Sequence, residues 1–342
     1  MKFPVIAILG LAICTAVAQD TAAILDKLRK EQQTVSLQPA QLLKQYTATQ
    51  KPDGSWEDID YRDRNHSLWA AAAHIRRTLH LAQAWAKPGQ PMFHDETVGR
   101  TVRRAVDYWS RHRFQCGNWW WNEIGIPERM ANILIAAPEL FHDSEERRNA
   151  LAVVRQTAFG KTGQNRVWQA EIVLKRALLE QDEPTARHAV AEITSELQVR
   201  NGEGIQEDGS FHQHGRQLQL GNYGLGFLQS MSYWNRILAG TPLAFPPERT
   251  EALRHLVLNG YRWVIWNGPT CSPRGGRSGA TPRPEKQRRH CAQSPFSKKR
   301  IRNPAGCTRK SCGRKRRSPE TVTFSIPTTW YTAAPHGTLR YG

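Results

Sequence analysis

The sequence has few cysteines where a fold could use them, and few acidic residues near its C-terminus. Only Cys116 lies between residues 19 and 267, so that part of the chain has no disulfide framework. Beyond the N-terminus, no stretch is long and apolar enough to span a bilayer. No alternation of apolar and polar residues indicates a β-strand. These absences argue against a disulfide-stapled domain, a membrane-spanning protein and an all-β fold.

The chain joins two different compositions. Residues 268–342 contain 17 Lys and Arg against 2 Asp and Glu, and four of the six cysteines. Eleven of the twelve tryptophans precede this segment. The formal net charge of +18 falls to +3 when the segment is set aside. We therefore predict a signal peptide over residues 1–18, a folded domain over 19–267 and a disordered basic tail over 268–342.

The N-terminus predicts export. Lys2 precedes an apolar run from Val5 to Cys14, and Ala16-Val17-Ala18 provides a small-residue cleavage site. This order is typical of a secretory signal peptide, so we expect a secreted protein, extracellular or periplasmic. The alternative is a buried first helix.

Apolar periodicity predicts helices from Asp20 to Gly268. Residues at steps of three and four would share a helix face in two stretches, Leu68, Ala72, Ile75, Leu79 and Ala82, then Val98, Val102, Val106 and Trp109 behind an N-cap at Asp95. Further helices are expected around residues 128–141, 143–159, 166–180, 185–199, 225–238 and 247–266. Successive helical pairs predict an all-α fold, either an α/α toroid or a bundle.

The first segment that suggests chemistry is NWWWNEIGIP, which contains Trp119, Trp120 and Trp121. Neighbours on a helix point about 100° apart, so all three indoles cannot face one core. Indole faces suit stacking on the C–H faces of sugar rings, and some of these side chains would line a groove. The alternative is ordinary core tryptophans beside a Gly-Pro helix start.

Two further segments carry polar side chains. In TGQNRVW, Asn165 taken alone reads as a helix cap. The stretch DGSFHQHGRQLQLGNYG includes His214, Arg216 and Tyr223. His214 and Tyr223 would face opposite sides of an unbroken helix, but bends at the glycines between them would bring them together.

The same stretch raises the question of a metal. His212 and His214 alternate as metal ligands do, but no third ligand stands at a suitable spacing. We predict no metal site. Judged from the residue types alone, these side chains fit a structural role as well as they fit a catalytic one.

Together the three segments resemble the N-terminal helical domain of polysaccharide lyase family 8, which includes chondroitin AC, hyaluronate and xanthan lyases. The resemblance covers residues 23–267 and implies an incomplete α/α toroid. It implies that Asn165 binds the uronate carboxylate and that His214 and Tyr223 are the catalytic pair. It also implies that the polymer is positioned by an aromatic patch. Our candidates for substrate contact are Trp119, Trp120, Trp121 and Arg216.

These residues suit β-elimination, which removes the C5 proton beside a uronate carboxylate. The Asn165 amide would hydrogen-bond that carboxylate and stabilise the enolate-like transition state. Tyr223, with an ordinary phenolic pKa near 10, needs nearby positive charge to act as base, and would then protonate the leaving oxygen. His214 would assist, and no metal or cofactor is required.

The basic tail departs from the family pattern. The resemblance implies β-sandwich domains after the toroid, an arginine shortly after Tyr223 and a more distant glutamate. Read as protein, the tail would be a polybasic arm for acidic polysaccharide or nucleic acid. Its cysteines lack CxxC pairs and make a poor zinc site.

We favour the hypothesis that the tail is out of frame from about Asn267. Codons formed across residue boundaries can read ADLLAAGRSI over residues 269–278. In the same phase they can read FDPDYMV and HRRPxWY over residues 325–338. DYMVHRRPxWY resembles a β-domain motif of the same lyases. On this hypothesis we expect impaired turnover.

The sequence therefore predicts a secreted, monomeric lyase for chondroitin- or hyaluronan-like polymers, with an acidic polysaccharide as partner and no specific nucleic acid. One alternative is a non-catalytic carbohydrate-binding helical protein with a polybasic arm. Another is an α/α-toroid glycoside hydrolase, which needs a general-acid carboxylate, and Glu207 and Asp208 are the nearest candidates.

Overall fold

The computed structural model describes residues 5–142 and 144–264, and helices dominate them. The α-helices are α1 (Val5–Thr34), α2 (Ala40–Ala48), α3 (Ala72–Ala86), α4 (Glu96–His112), α5 (Ile126–Ala136), α6 (Glu145–Val154), α7 (Gly163–Glu180), α8 (Glu183–Ser195), α9 (Tyr223–Leu238), α10 (Pro247–His255) and α11 (Arg262–Val264). Between them lie π-helical turns at Trp121–Gly125 and Leu256–Tyr261, a 3₁₀ turn at Pro138–Phe141, and the antiparallel strands β1 (Gly204–Ile205) and β2 (Phe211–His212). The predicted all-α class is confirmed.

The helices alternate between an inner and an outer set. Helices α3, α5, α7 and α9 each contact the next in the series, and α1 packs against all four. Helix α4 packs on α3, α6 on α5 and α8 on α7. Each inner helix from α3 to α7 thus has a following partner outside it, as in an α/α arrangement.

Helix α4 forms as its apolar pattern predicts. The Asp95 carboxylate accepts a hydrogen bond from the Val98 amide at 2.9 Å and caps the helix. The four apolar residues predicted to share a face, Val98, Val102, Val106 and Trp109, are all buried. Here the helical period and the cap agree, so the sequence specifies both the start and the buried face.

The prediction for α3 is wrong at its first residue. The helix begins at Ala72, and the Leu68 side chain is 59% exposed. The Asn65 side chain accepts hydrogen bonds from the Ser67 and Leu68 amides, and the Asp63 carboxylate accepts one from Ala70. Such side-chain turns compete with helix formation and delay the start of α3.

The β1–β2 hairpin contradicts the expectation of a domain without strands. Strands of two residues are too short to show alternation in a sequence. The turn between them has Gly209 at φ +77°, and the Asp208 carboxylate accepts a hydrogen bond from the Ser210 amide at 2.9 Å. A Cβ on Gly209 would lie 2.6 Å from the backbone carbon of Asn259. The absence of a side chain therefore lets the hairpin turn pack on the C-terminal π-helical turn.

The signal peptide and the basic tail, predicted at the two ends of the chain, both stay predictions. Helix α1 begins inside the predicted signal peptide and continues through Thr34, so the signal peptide stays a prediction. Among the described helices, none combines the length and apolar character needed to cross a bilayer. The predicted basic tail over residues 268–342 lies outside the described residues.

A polar cavity of about 120 Å³ lies among α1, α3, α5, α7 and α9. Its lining includes Arg76 and His80 of α3, Arg129 and Asn132 of α5, and Glu171 and Lys175 of α7. Glu171 is 2% exposed, and this burial raises the pKa of its carboxyl group to about 7, partly offset by the positive charge of Lys175. The folded chain therefore holds a proton on Glu171 at pH values where the unfolded chain releases it.

We expect Glu171→Gln to remove part of the pH dependence of stability. The folded pKa is raised, so stabilisation by the protonated carboxyl is complete below the ordinary value and is lost as the pH rises through about 7. The slope is at most about 1.4 kcal/mol per pH unit. Urea unfolding across this range should show the variant gaining stability relative to the wild type as pH rises. The exposed Glu57→Gln is the control, and parallel curves for wild type and Glu171→Gln would contradict the assignment.

Candidate active site

Aromatic rings from all three sequence motifs form one continuous strip. The Trp120 and Trp168 ring centroids lie 6.1 Å apart, with the rings nearly perpendicular. Trp168 lies 6.0 Å from Tyr223, and Tyr223 meets His214 edge-on at 4.9 Å. We call Trp120, Trp168, Tyr223 and His214 the aromatic strip. It brings the start of α9 and the loop before it together with α7 and with the segment that enters α5.

The three adjacent tryptophans have different surroundings. Trp119 is 39% exposed, and Trp120 is partly buried against the core. Trp121 is 6% exposed, and its ring centroid lies 6.3 Å from that of the buried Trp69. Trp119 and Trp120 therefore offer surface to a ligand, whereas Trp121 packs mainly in the core and supports them.

A π-helical turn positions these indoles. The turn runs from Trp121 to Gly125, and such turns occur often at functional sites. A Cβ on Gly125 would lie 2.6 Å from Trp120 Cζ3 and 2.8 Å from Trp121 Cε3. Glycine at this position therefore allows both rings to fold back over the backbone.

Lys161 adds positive charge beside the exposed indole. Its Nζ lies 4.1 Å from the centroid of the Trp119 ring and 3.6 Å from Glu123 Oε2. The same Glu123 oxygen accepts a hydrogen bond from Gln169 Nε2 at 3.1 Å. A cation over an indole face is attracted by the ring quadrupole, which orders Lys161 at this end of the site.

Asn165 lies in the first turn of α7 and is 7% exposed. The reading of Asn165 as a helix cap is wrong, because Thr162 occupies the N-cap position. Among the described residues, Asn165 Oδ1 has no hydrogen-bond partner. Because this oxygen can only accept, a ligand would pair with it through a hydroxyl or N–H group, and a carboxylate would have to bind the amide N–H instead.

His214 stands on a loop in an uncommon backbone conformation. It is exposed, with φ +57°, and Gly215 follows with φ +76°. This bend brings His214 to Tyr223, the first residue of α9. The two side chains therefore meet as predicted, and the bend that brings them together lies at His214 and Gly215.

Arg216 and His212 lie on either side of this bend. Arg216 is exposed two residues after His214, and His212 belongs to β2. Within residues 5–142 and 144–264, no three or more His, Cys, Asp and Glu side chains are grouped to hold a metal ion.

Gln213 joins the His214 loop to the start of α7. It is 1% exposed, and its Oε1 accepts a hydrogen bond from the Gln164 amide at 2.9 Å. Gly163 has φ +55°, and a Cβ there would overlap Gln213 Oε1. Glycine at position 163 is thus required twice, for its backbone conformation and for the close approach of Gln213.

The sequence motifs did not identify Trp168 and Gln213 as site residues. Trp168 lies three residues after Asn165 on α7, and such a pair shares one helix face. This spacing within TGQNRVW could have identified Trp168. No local signal identifies Gln213, because its partner lies 49 residues away in the sequence.

A family model and several curated proteins match the chain. The model described as "Polysaccharide lyase family 8, N terminal alpha-helical domain" matches residues 10–294. A chondroitinase-AC from Pedobacter heparinus is 31% identical over 210 residues, covering 59% of this chain and 29% of that protein. A hyaluronate lyase from Thermasporomyces composti is 27% identical over 248 residues, covering 68% and 31%. The chain thus spans less than a third of the length of these curated relatives.

Solved structures share the helical arrangement. A chondroitinase AC lyase, determined in enzyme–oligosaccharide complexes, matches with a TM-score of 0.65 and 26% identity, covering 72% of this chain and 37% of that chain. A Streptomyces coelicolor A3 chondroitin AC lyase in complex with chondroitin sulphate has a TM-score of 0.64 and 19% identity, covering 78% and 38%. The latter likeness concerns the fold alone. The predicted incomplete α/α toroid is confirmed.

We expect Gly163→Ala to destabilise the fold more than Gly240→Ala. Both glycines have positive φ, +55° and +73°, so both variants carry a similar backbone penalty of about 1 kcal/mol. Only at position 163 does the new methyl group meet Gln213, because nothing lies within 4 Å of a Cβ at 240. The additional loss should be about 1–3 kcal/mol, the usual cost of overpacking. Chemical denaturation measures it, and equal losses in the two variants would contradict the role given to Gln213.

Proposed function

The chain belongs to polysaccharide lyase family 8, and on that premise we propose that it binds uronate-containing polymers of the chondroitin or hyaluronan type and cleaves them by β-elimination. Trp119 and Trp120 hold the sugars, with Arg216 near the acidic chain. Asn165, His214 and Tyr223 carry the chemistry. We propose further that the chain acts as a secreted monomer without a metal or cofactor.

The observation that best supports this proposal is the aromatic strip. Its rings run from the exposed tryptophan segment to the His214–Tyr223 pair without a gap larger than 6.1 Å between centroids. A sugar polymer stacked on Trp119 and Trp120 would have its next units over Trp168 and Tyr223. The strip therefore gives a bound chain a path to the two side chains that can move a proton.

The amide of Asn165 suits the carboxylate of the uronate. The C5 proton beside a carboxylate is weakly acidic, because its removal builds further negative charge on the carboxylate oxygens. An amide N–H directed at those oxygens stabilises this charge in the transition state. The side chain is almost fully buried, so the hydrogen bond forms away from competing water.

In this proposal Tyr223 and His214 carry the proton transfers. In the proposed step the Tyr223 phenolate takes the C5 proton, the C4–C5 double bond forms, and the C4–oxygen bond breaks. Tyr223 then gives the proton to the departing oxygen and returns to its starting state. The His214 ring lies 4.9 Å from the Tyr223 ring, centroid to centroid, so an imidazole stands beside the phenol and could share the proton transfer.

The resemblance also implies an arginine that would lower the pKa of this tyrosine. Its expected place, about fifty residues after Tyr223, lies outside the described residues. On the proposed frame change this arginine is missing, and each pKa unit left uncorrected lowers the ionised fraction of the phenol about tenfold. We therefore propose that binding is retained while turnover is impaired.

Hydrolysis by the same site is less well supported. An inverting or retaining glycosidase needs a carboxylic acid that is protonated at working pH, facing a second carboxylate. Hydrogen bonds from Ser210 hold the pKa of Asp208 below its usual value. Asp208 and Glu207 are exposed in the hairpin turn. Neither has the surroundings of a general acid.

We expect Trp120→Ala to weaken binding of a chondroitin oligosaccharide about tenfold, or about 1.4 kcal/mol, because one stacking platform is lost. Titration followed by tryptophan fluorescence measures the affinity of the full chain. Trp263→Ala is the control, since Trp263 is 75% exposed and lies outside the strip. Unchanged affinity in Trp120→Ala would exclude the strip as the binding surface.

We expect the full chain to convert chondroitin or hyaluronan slowly into products with an unsaturated uronide, detected by ultraviolet absorbance. Tyr223→Phe and Asn165→Ala should abolish this product without unfolding the chain, and EDTA should leave the rate unchanged. Binding without any unsaturated product would favour the non-catalytic carbohydrate-binding alternative. Products with saturated ends would favour a hydrolase.

A further inference from the structure

The carboxylate of Glu203 lies between the loop that carries His214 and the start of α7, which carries Asn165. It precedes β1 and accepts hydrogen bonds from three donors outside its own segment. Oε1 accepts from the Gly215 amide at 2.8 Å. Oε2 accepts from Gln213 Nε2 at 2.7 Å and from Thr162 Oγ1 at 2.6 Å. Charge-assisted hydrogen bonds of this kind are stronger than neutral ones.

The donors belong to two different parts of the site. Gln213 and Gly215 lie on either side of His214, so Glu203 holds the loop before and after that residue. Thr162 is the N-cap residue of α7, three residues before Asn165. One carboxylate therefore contacts both the segment that carries His214 and the segment that carries Asn165.

The bond to Glu203 changes how α7 is capped. A threonine at the N-cap usually accepts a hydrogen bond from a backbone amide of the first turn. The Thr162 side chain makes no such bond, and its hydroxyl donates to Glu203. Gln213 Oε1 accepts from the Gln164 amide instead. The start of α7 thus depends on Gln213, and Gln213 is held by Glu203.

The loop also needs an external restraint. His214 and Gly215 both have positive φ, which is unfavourable for a residue with a side chain. Such a conformation persists only where the surroundings hold it. Hydrogen bonds to Glu203 on both sides of His214 provide that restraint.

We propose that Glu203 is a positioning residue that sets the His214–Tyr223 and Asn165 geometry through Gln213, Gly215 and Thr162, without contacting substrate. The proposed consequence for catalysis rests on the proposed lyase function. The positional part does not, since it concerns contacts within the chain itself.

The direct test is Glu203→Gln in the full chain. A neutral glutamine replaces one acceptor oxygen by an amino group, so it cannot accept from all three donors. NMR of the variant, with labelled histidine and tyrosine, should show loss of the cross-peak between the His214 and Tyr223 rings. The Gly215 and Gln164 amides should exchange with solvent about tenfold faster or more. Glu248→Gln, at an exposed position in the first turn of α10, should leave both signals unchanged.

An unchanged ring cross-peak and unchanged exchange of both amides in Glu203→Gln would overturn the proposal. If that variant does not fold, Thr162→Val removes a single donor and preserves shape. In Thr162→Val the Gln164 amide should exchange faster, and unchanged exchange there would also overturn it. None of these measurements needs a substrate, so failure of the chain to bind polysaccharide would overturn only the proposed function.

The functional part is tested by a double-mutant cycle on oligosaccharide affinity. Glu203→Gln and Asn165→Ala should each lower the affinity for the oligosaccharide. The double variant should have the same affinity as the single variant that binds less tightly. This pattern means that Glu203 acts through Asn165. Additive losses would show that Glu203 contributes independently, and would overturn its role in placing Asn165.

Discussion

The buried side chain of Gln213 joins two segments that are distant in sequence, and the geometry of the candidate active site depends on this junction. Its Oε1 accepts the Gln164 amide, 49 residues away, while its Nε2 donates to Glu203. Removing one partner from a buried hydrogen bond leaves the other unsatisfied, at a cost of about 1–3 kcal/mol. The first turn of α7 and the His214 loop therefore behave as one unit, and Gly163 makes the contact sterically possible.

The arrangement of the inner helices explains where polar groups are found. Trp120, Trp168 and Tyr223 lie near the N-terminal ends of α5, α7 and α9. Their rings contact one another there and form most of the aromatic strip. Further along the same helices, Asn132, Glu171 and Tyr233 line the polar cavity. Five helices packed around a common interior leave space that apolar side chains do not fill. A titratable carboxyl in that space ties the stability of the scaffold to pH.

Local patterns predicted most helices and failed where polar side chains compete with the backbone. Helix α4 follows its apolar period and its Asp95 cap. Leu68 fits the period of α3 but lies outside it, because Asn65 and Asp63 hold the preceding residues in turns. The β1–β2 hairpin was not predicted. Its two-residue strands are stabilised by contacts between distant residues, such as Gly209 with the Asn259 backbone, and local patterns do not show such contacts. Periodicity describes buried faces well, and it says little about short segments held by distant partners.

The sequence by itself determined the residue types of the site and the family they indicate. Asn165, His214 and Tyr223 could be named from three motifs, and glycine at 215 correctly indicated a bend. Only the tertiary structure decided which tryptophans keep exposed surface, that Trp168 completes the strip, and that Glu203 and Gln213 form hydrogen bonds between the segments that carry Asn165 and His214. The physical reason is that side-chain type follows from local sequence, whereas burial and hydrogen-bond partners follow from which distant segments pack together.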